Sequence, residues 1–306
     1  AVLKSTALLI VALLACACAA STNVQNRSVG SVPALFVARD TDSTMYLFGT
    51  MHIRRAGRPW GGAHAQAGLM EAEEIWTELL ISPENDVATQ QLALQRGASS
   101  TRPLSSWLNA EQNARLAAVT QSFGLPAEAF ERMQPWLASL TLTVLPMMRA
   151  GFESDAGADR QIDAVGDANG KRMRAFETPE QQINLMAGLN DEVQRQMLLE
   201  AIEAAEKGGA QMDVMATAWE TGDLATLERL AVTDLRDGYP EFYSLLLADR
   251  NDAWVEVLVA ELQGAGVDFI AVGAGHLLGE DGLVAQLRAR GYAVERLGGL
   301  SLRDAR

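Results

Sequence analysis

The stretch Tyr46-Leu47-Phe48-Gly49-Thr50-Met51-His52 decides how this chain is read. An apolar run closes on Gly49, and a His follows three residues later. The arrangement returns near the other end as Phe269-Ile270-Ala271-Val272-Gly273-Ala274-Gly275-His276. The chain holds three His, and two of them occupy these echoed positions. Short apolar runs bounded by glycine read as buried strands. The pattern therefore predicts two strand ends, remote in sequence, that bring His52 and His276 to one site.

Working outward, 33–39 and 44–49 predict two strands joined by the polar turn Asp40-Thr41-Asp42-Ser43. Residues 53–62, rich in Gly, Arg and Pro, read as a loop, 63–73 as a helix and 74–81 as a buried strand. Beyond Pro83 the apolar spacing turns to three and four residues, which predicts helices over 110–123, 135–150, 159–169, 191–207, 211–221, 224–232 and 241–262. Pro146 is expected to kink or shorten its helix. Pro179 opens another at a favoured first-turn position, and 171–176 reads as a short strand. Then 267–272 is a strand, 277–290 a helix and 292–297 a last strand. No period of about twenty to fifty residues repeats, so the chain is not a solenoid. The expectation is an α/β fold with α+β character. Its central sheet is built from the N- and C-terminal segments, and a mainly helical insertion over 83–264 sits within one domain spanning 33–306.

Composition is globular, with 48% hydrophobic and 21% charged residues among 306. A net charge of −14 disfavours the basic face of a nucleic-acid binder. Residues 1–20 differ from the rest: Lys4, an apolar run over 7–14 and small residues over 15–20 make the pattern of a secretory signal. The run is too short to span a bilayer comfortably. Cys16 and Cys18 both lie here, and Leu13-Leu14-Ala15-Cys16 resembles the lipobox whose Cys is acylated; cleavage near Ala19 or Ala20 is the alternative. Residues 21–32 read as a polar tether, and nothing after them can form a disulfide or offer a thiol ligand. An exported protein of a bacterium is expected, periplasmic or anchored to the membrane through lipidated Cys16.

Imidazole is the commonest metal ligand, and ligands of open α/β sheets bind beyond the carboxyl ends of strands. Either His alone could merely fill a polar pocket; the matched pair points to a site. Gly49 and Gly273 let a ligand or cofactor approach the backbone closely. His64, at a helix start, reads as a surface residue. Glu71, Glu73 and Glu74 read as a solvated helix end or strand entrance. Glu78 lies inside the apolar Ile75-Trp76-Thr77-Glu78-Leu79-Leu80-Ile81, where a carboxylate needs a partner or a metal. It is a candidate ligand or general base, with a solvent-facing strand position as the alternative. Arg250 could stabilise an oxyanion and Asn251 could orient substrate or Arg250, although neighbouring positions on a helix point apart, and a solvated face explains them equally. Asp159-Arg160 and Glu177-Thr178 read as helix-start charge and capping.

Taken in order, these motifs resemble the TraB/GumN family, which is related to the TIKI metalloproteases. The resemblance covers nearly all of the chain after the signal. It rests on the two GxxH motifs at Gly49-Thr50-Met51-His52 and Gly273-Ala274-Gly275-His276, on Glu78, and on Gly157-Ala158-Asp159, Glu177-Thr178-Pro179-Glu180-Gln181-Gln182 and Arg250-Asn251. It departs at Trp76 to Leu80, where relatives more often carry a second acidic residue soon after the Glu. The resemblance implies a core of the erythromycin-esterase/ChaN-like type. It also implies a divalent-metal-dependent hydrolase acting on peptide or protein substrates. His52, His276 and Glu78 would hold Mn, Co, Fe or Zn, and Arg250 and Asn251 would assist. A haem- or metal-binding lipoprotein without turnover on the same fold is the alternative.

Overall fold

The computed structural model of the chain describes residues 32–298, apart from 100 and 209. The expected signal segment, with Cys16 and Cys18, and the expected tether up to residue 31 lie outside the described residues. Among the described residues eight strands are formed: β1 (Leu35–Arg39), β2 (Ser43–Thr50), β3 (Arg54–Arg55), β4 (Glu74–Leu79), β5 (Phe152–Glu153), β6 (Arg172–Glu177), β7 (Gly266–Gly273) and β8 (Ala293–Leu297). Six of them make one sheet in the order β6-β4-β7-β2-β1-β8. The four strands β6, β4, β7 and β2 run parallel, while β1 pairs antiparallel with both β2 and β8. The α/β expectation holds, and the N- and C-terminal segments share one sheet as their apolar runs implied.

Alternation along the strands sets two buried faces. Tyr46 and Phe48 of β2, with Phe269 and Ala271 of β7, face a large core shared with the helical middle. Met45, Leu47, Ile270 and Val272 face the opposite core, against Trp254, Val255, Leu258 and Leu262 of the helix Asp249–Leu262. A third core lies wholly among helices, around Leu116, Phe130, Leu142 and Leu198. The β1–β2 turn is fixed locally: Asp40 Oδ1 accepts from the backbone N–H groups of Asp42 (3.2 Å) and Ser43 (2.9 Å).

Several expectations are corrected. Helix 277–290 is not continuous. A 3-10 turn spans Ala274–Leu277, Gly279 adopts φ +79°, and the helix itself is Leu283–Ala289. The glycines interrupt a run whose apolar spacing looked helical. Pro146 does not shorten its helix, which runs over Pro135–Arg149 with the proline inside it. The loop after His52 contains β3, which pairs with β5. Two helical stretches widen into π-turns at Arg229–Thr233 and Ser244–Ala248, both beside the site described next. Among the described residues, no helix is long and apolar enough to cross a membrane.

Candidate functional site

Parallel strands carry their carboxyl ends to one edge of the sheet, and the four parallel strands do so here. Glu177 ends β6, Glu78 lies one residue from the end of β4, Gly273 ends β7, and His52 follows β2 by two residues. His276 sits in the 3-10 turn after Gly273. The helix Asp249–Leu262 delivers Arg250 and Asn251 from its first turn. All of this is removed from water: His52 is 9% exposed, Glu78 4%, Arg250 7% and His276 1%.

His52 is pinned from one side. Its Nδ1–H donates to Asp159 Oδ2 at 3.0 Å, which leaves Nε2 as the nitrogen with a free lone pair. That Nε2 is buried without a hydrogen-bond partner and lies 3.7 Å from Glu78 Oε1. Gly157 explains the close approach of Asp159. A Cβ at Gly157 would stand 2.4 Å from the His52 carbonyl oxygen and 2.5 Å from Asp159 Oδ1. The backbone of Ala158 also donates to the Met51 carbonyl at 3.0 Å, tying the helix start to the loop that carries His52.

His276 is held from both sides. Asn251 Nδ2 donates to the Asp281 carbonyl (2.9 Å), which turns Oδ1 toward His276 to accept from its Nδ1–H (2.6 Å). His276 Nε2 then accepts from Arg250 Nη1 at 3.1 Å. The imidazole packs on Trp254 with ring centroids 4.4 Å apart, and Trp254 stacks on Phe176 at 4.9 Å. Arg250 and Asn251 thus reach one residue from two directions, which resolves the objection that neighbours on a helix diverge.

Arg250 is the hub. Its Nε and Nη2 grip Glu177 in a bidentate pair (2.6 and 2.8 Å), Nη2 also donates to Glu78 Oε2 (2.7 Å), and Nη1 donates to the Leu246 carbonyl (3.0 Å) as well as to His276. A guanidinium has five N–H groups, and every one is committed within the protein. The expected oxyanion-stabilising role of Arg250 is therefore corrected to positioning. Asn251 likewise orients His276, its Oδ1 fixed by the Nδ2 bond to the Asp281 carbonyl.

Glu78 Oε1 accepts from the Gly273 backbone N–H at 2.7 Å. Burial works to raise the Glu78 pKa, but Arg250, the two imidazoles and the Gly273 N–H together hold it down at about 2. A carboxylate that weakly basic suits a ligand better than a general base. Burial, reinforced by Arg250, pushes His276 down to about 3, so it is neutral. Burial would also lower His52, but Asp159 and Glu78 outweigh it and raise its pKa.

The donor set fits a divalent cation at its His52–Glu78 edge. The orphaned Nε2 is oriented by a carboxylate, an outer-shell arrangement common to metal-binding His. The backbone leaves room as well: a Cβ at Gly273 would sit 3.1 Å from Glu78 Oε1 and 3.3 Å from His52 Nε2. His276 Nε2, 3.8 Å from Glu78 Oε1, offers its lone pair only in exchange for Arg250. Among the described residues, one group alone brings three ligand atoms within 4.8 Å of one another: Glu74, Glu261 and Asp268, at the opposite ends of β4 and β7. There Glu74 is buried and neutralised by Arg172 and Arg174, rather than being the solvated residue expected.

Gly49 and Gly273 separate in role. A Cβ at Gly49 would meet Ala274 Cα at 2.9 Å, away from the ligand atoms, so Gly49 serves packing and Gly273 serves the site. His64 is exposed, as expected. Asp159, Glu177 and Trp254 are the site residues that sequence reasoning missed or undervalued.

The model of the TraB/PrgY/gumN family matches residues 34–296, and the chain belongs to that family. No curated protein and no solved structure matches it.

Proposed function

We propose, with membership of the TraB/PrgY/gumN family as the premise, that the protein is a metal-dependent hydrolase acting on peptide bonds. His52 and Glu78 would hold the cation, and His276 would complete the set by releasing Arg250. The observation that carries this reading is the buried, partnerless Nε2 of His52, locked by Asp159 and facing Glu78. Charge supports it. Glu78 and Glu177 flank one guanidinium and Asp159 flanks His52, so carboxylates outnumber the guanidinium by two while His276 is neutral. Two His and a carboxylate suit Mn, Co, Fe or Zn alike. Such an ion supplies Lewis acidity at a carbonyl oxygen. The chain's own residues fix the geometry: Asp159 sets the His52 tautomer, Asn251 sets that of His276, and Arg250 holds Glu78 ionised. Export, with or without a lipid on Cys16, belongs to the same proposal and rests on residues 1–20.

A metal-binding protein without turnover is the second reading, favoured by the depth of the site. An apolar cavity opens beside His52, so a haem-binding form belongs to this second reading as well as a metal-binding one. The test is elemental analysis after repletion with each candidate ion. One equivalent in the wild type and none in His52→Ala is expected. Absence of metal from the wild type under every repletion would sink the proposal, and metal without cleavage across a diverse peptide library would favour the second reading.

A further inference from the structure

One cavity opens against His52. Its walls are Met212, Met215 and Trp219 from the helix Ala210–Thr221, together with Leu227 and Ala231. Its floor is the turn Gly273 to Gly275. Among the described residues no carboxylate, ammonium or guanidinium lines it; His52 and Thr50 are the polar side chains on it. Both carry a buried polar atom without a hydrogen-bond partner, Nε2 of His52 and Oγ1 of Thr50. A buried hydroxyl left unpaired is costly, and native proteins rarely leave one without a use. The wall is also braced. Trp219 Nε1 donates to the Gly49 carbonyl at 2.7 Å, and the buried guanidinium of Arg54 lies over its ring at 4.6 Å. Ala231 sits within the π-turn Arg229–Thr233, an irregularity often found at functional sites.

We propose that this cavity receives an apolar side chain of the substrate, with the Thr50 hydroxyl bonded to the backbone amide of the same residue. The pairing of an apolar chamber with one buried, unpartnered hydroxyl in its lining is what selects this occupant. A hydrocarbon would leave Oγ1 unpaired, and a polar side chain would lose its hydration against Met and Trp. The paired thioethers of Met212 and Met215 adapt to unbranched and γ-branched side chains, so Met, Leu and norvaline are accepted. The inference deepens the hydrolase reading by naming the residue type beside the reacting bond. It is tested by binding alone, so that the two can fail separately.

The experiment uses the full chain, stripped of metal and labelled with carbon-13 at the Met methyl groups. It is titrated with N-acetyl amino-acid amides and followed by NMR. The Met212 and Met215 signals shift saturably with the leucine, methionine and norvaline amides, tightening about fourfold per added methylene from alanine to norvaline. The glutamate amide binds at least tenfold more weakly than the leucine amide. Thr50→Val weakens every amide by roughly fivefold, and Thr50→Ser restores binding. Ala231→Phe abolishes binding; should it not fold, Ala231→Val weakens the leucine amide while sparing the alanine amide. The inference is overturned if Met212 and Met215 do not shift, if glutamate binds as well as leucine, or if the Ala231 variants leave affinity unchanged. Selective binding without cleavage of any peptide would remove the hydrolase reading and leave the pocket standing.

Discussion

Removing Arg250 from the metal-free protein isolates the energy stored at the hub. Arg250→Ala leaves two carboxylates without their cation: Glu78, which is nearly inaccessible, and Glu177, whose side chain is 8% exposed. Breaking one side of a buried ion pair costs about 3–5 kcal/mol, because the partner's charge stays buried and uncompensated. The wild-type geometry is near the top of what such pairs achieve, with three contacts to carboxylate oxygens between 2.6 and 2.8 Å. For a chain of this size the loss corresponds to roughly 5–8 °C in Tm. Arg250→Lys keeps the charge but not the fork. Three ammonium donors cannot serve Glu177, Glu78, Leu246 and His276 at once, so about 1–2 kcal/mol is lost. Glu78→Gln removes one of the orphaned charges beforehand. In that background the cost of Arg250→Ala falls by about 2–3 kcal/mol, the coupling expected for groups in direct contact. Urea denaturation of the four corners of this cycle at pH 7 measures each term. A cost below about 1 kcal/mol for Arg250→Ala, or no coupling with Glu78→Gln, would show that the hub is not held together by charge.

Asp159→Asn weakens the carboxylate–imidazole bond that orients His52, and is expected to lower divalent-ion affinity by about 10–100-fold in competition with a chelator, with far-ultraviolet circular dichroism unchanged. Glu177→Gln removes one negative charge next to Arg250 and frees its Nε to compete for Glu78; affinity for the same ion should fall roughly tenfold although Glu177 is not a proposed ligand. Burial, with Asp167 and Asp159 adding to it, raises Asp163 from 3.8 to about 6. The fold therefore favours the protonated acid below the unfolded value and loses that benefit as pH rises through about 6, so Asp163→Asn should stabilise by about 1–2 kcal/mol at pH 7 and hardly at pH 4 in urea titrations. Gly157→Ala places a Cβ 2.4 Å from the His52 carbonyl oxygen and should cost at least about 2 kcal/mol, read as a lowered midpoint of thermal unfolding.

Some of the site was legible because its signals are local. A glycine ending an apolar run, with a His three residues on, marks a strand end in any α/β fold, and Glu78 inside an apolar strand advertises its own cost. The sheet was legible for the same reason, since β2 and β7 are short apolar runs with clear stops. Asp159 and Glu177 were misread because their local roles are equally sound. Asp159 does lie in the first turn of the helix Ala158–Ala168, and Thr178, next to Glu177, does cap the following helix with a capping box. Their decisive partners, His52 and Arg250, lie 107 and 73 residues away. No periodicity connects them. The aromatic face over His276 was hidden likewise, because Trp76, Phe176 and Trp254 come from three separate elements and stack only once β4, β6 and the helix Asp249–Leu262 are in place.

The parallel sheet makes these long-range contacts unavoidable rather than fortuitous. Once β6, β4, β7 and β2 lie side by side and parallel, their carboxyl ends form one row. Glu177, Glu78, Gly273 and the His52 loop then stand at that edge in sheet order. A row so rich in carboxylate, closed off from water, needs a cation. Arg250 meets that need, and it does so by occupying the one nitrogen, His276 Nε2, that the proposed third metal ligand would require. Under the proposed metal reading, an ion held by all three residues and the Arg250–His276 contact would be alternatives, while the Arg250–Glu177 pair would be compatible with both. Glu177 then has a function that neither strand geometry nor capping explains. On the proposed metal-binding reading it would be the berth that keeps Arg250 buried and paired on releasing His276, so that metal entry would exchange one contact instead of expelling a buried charge.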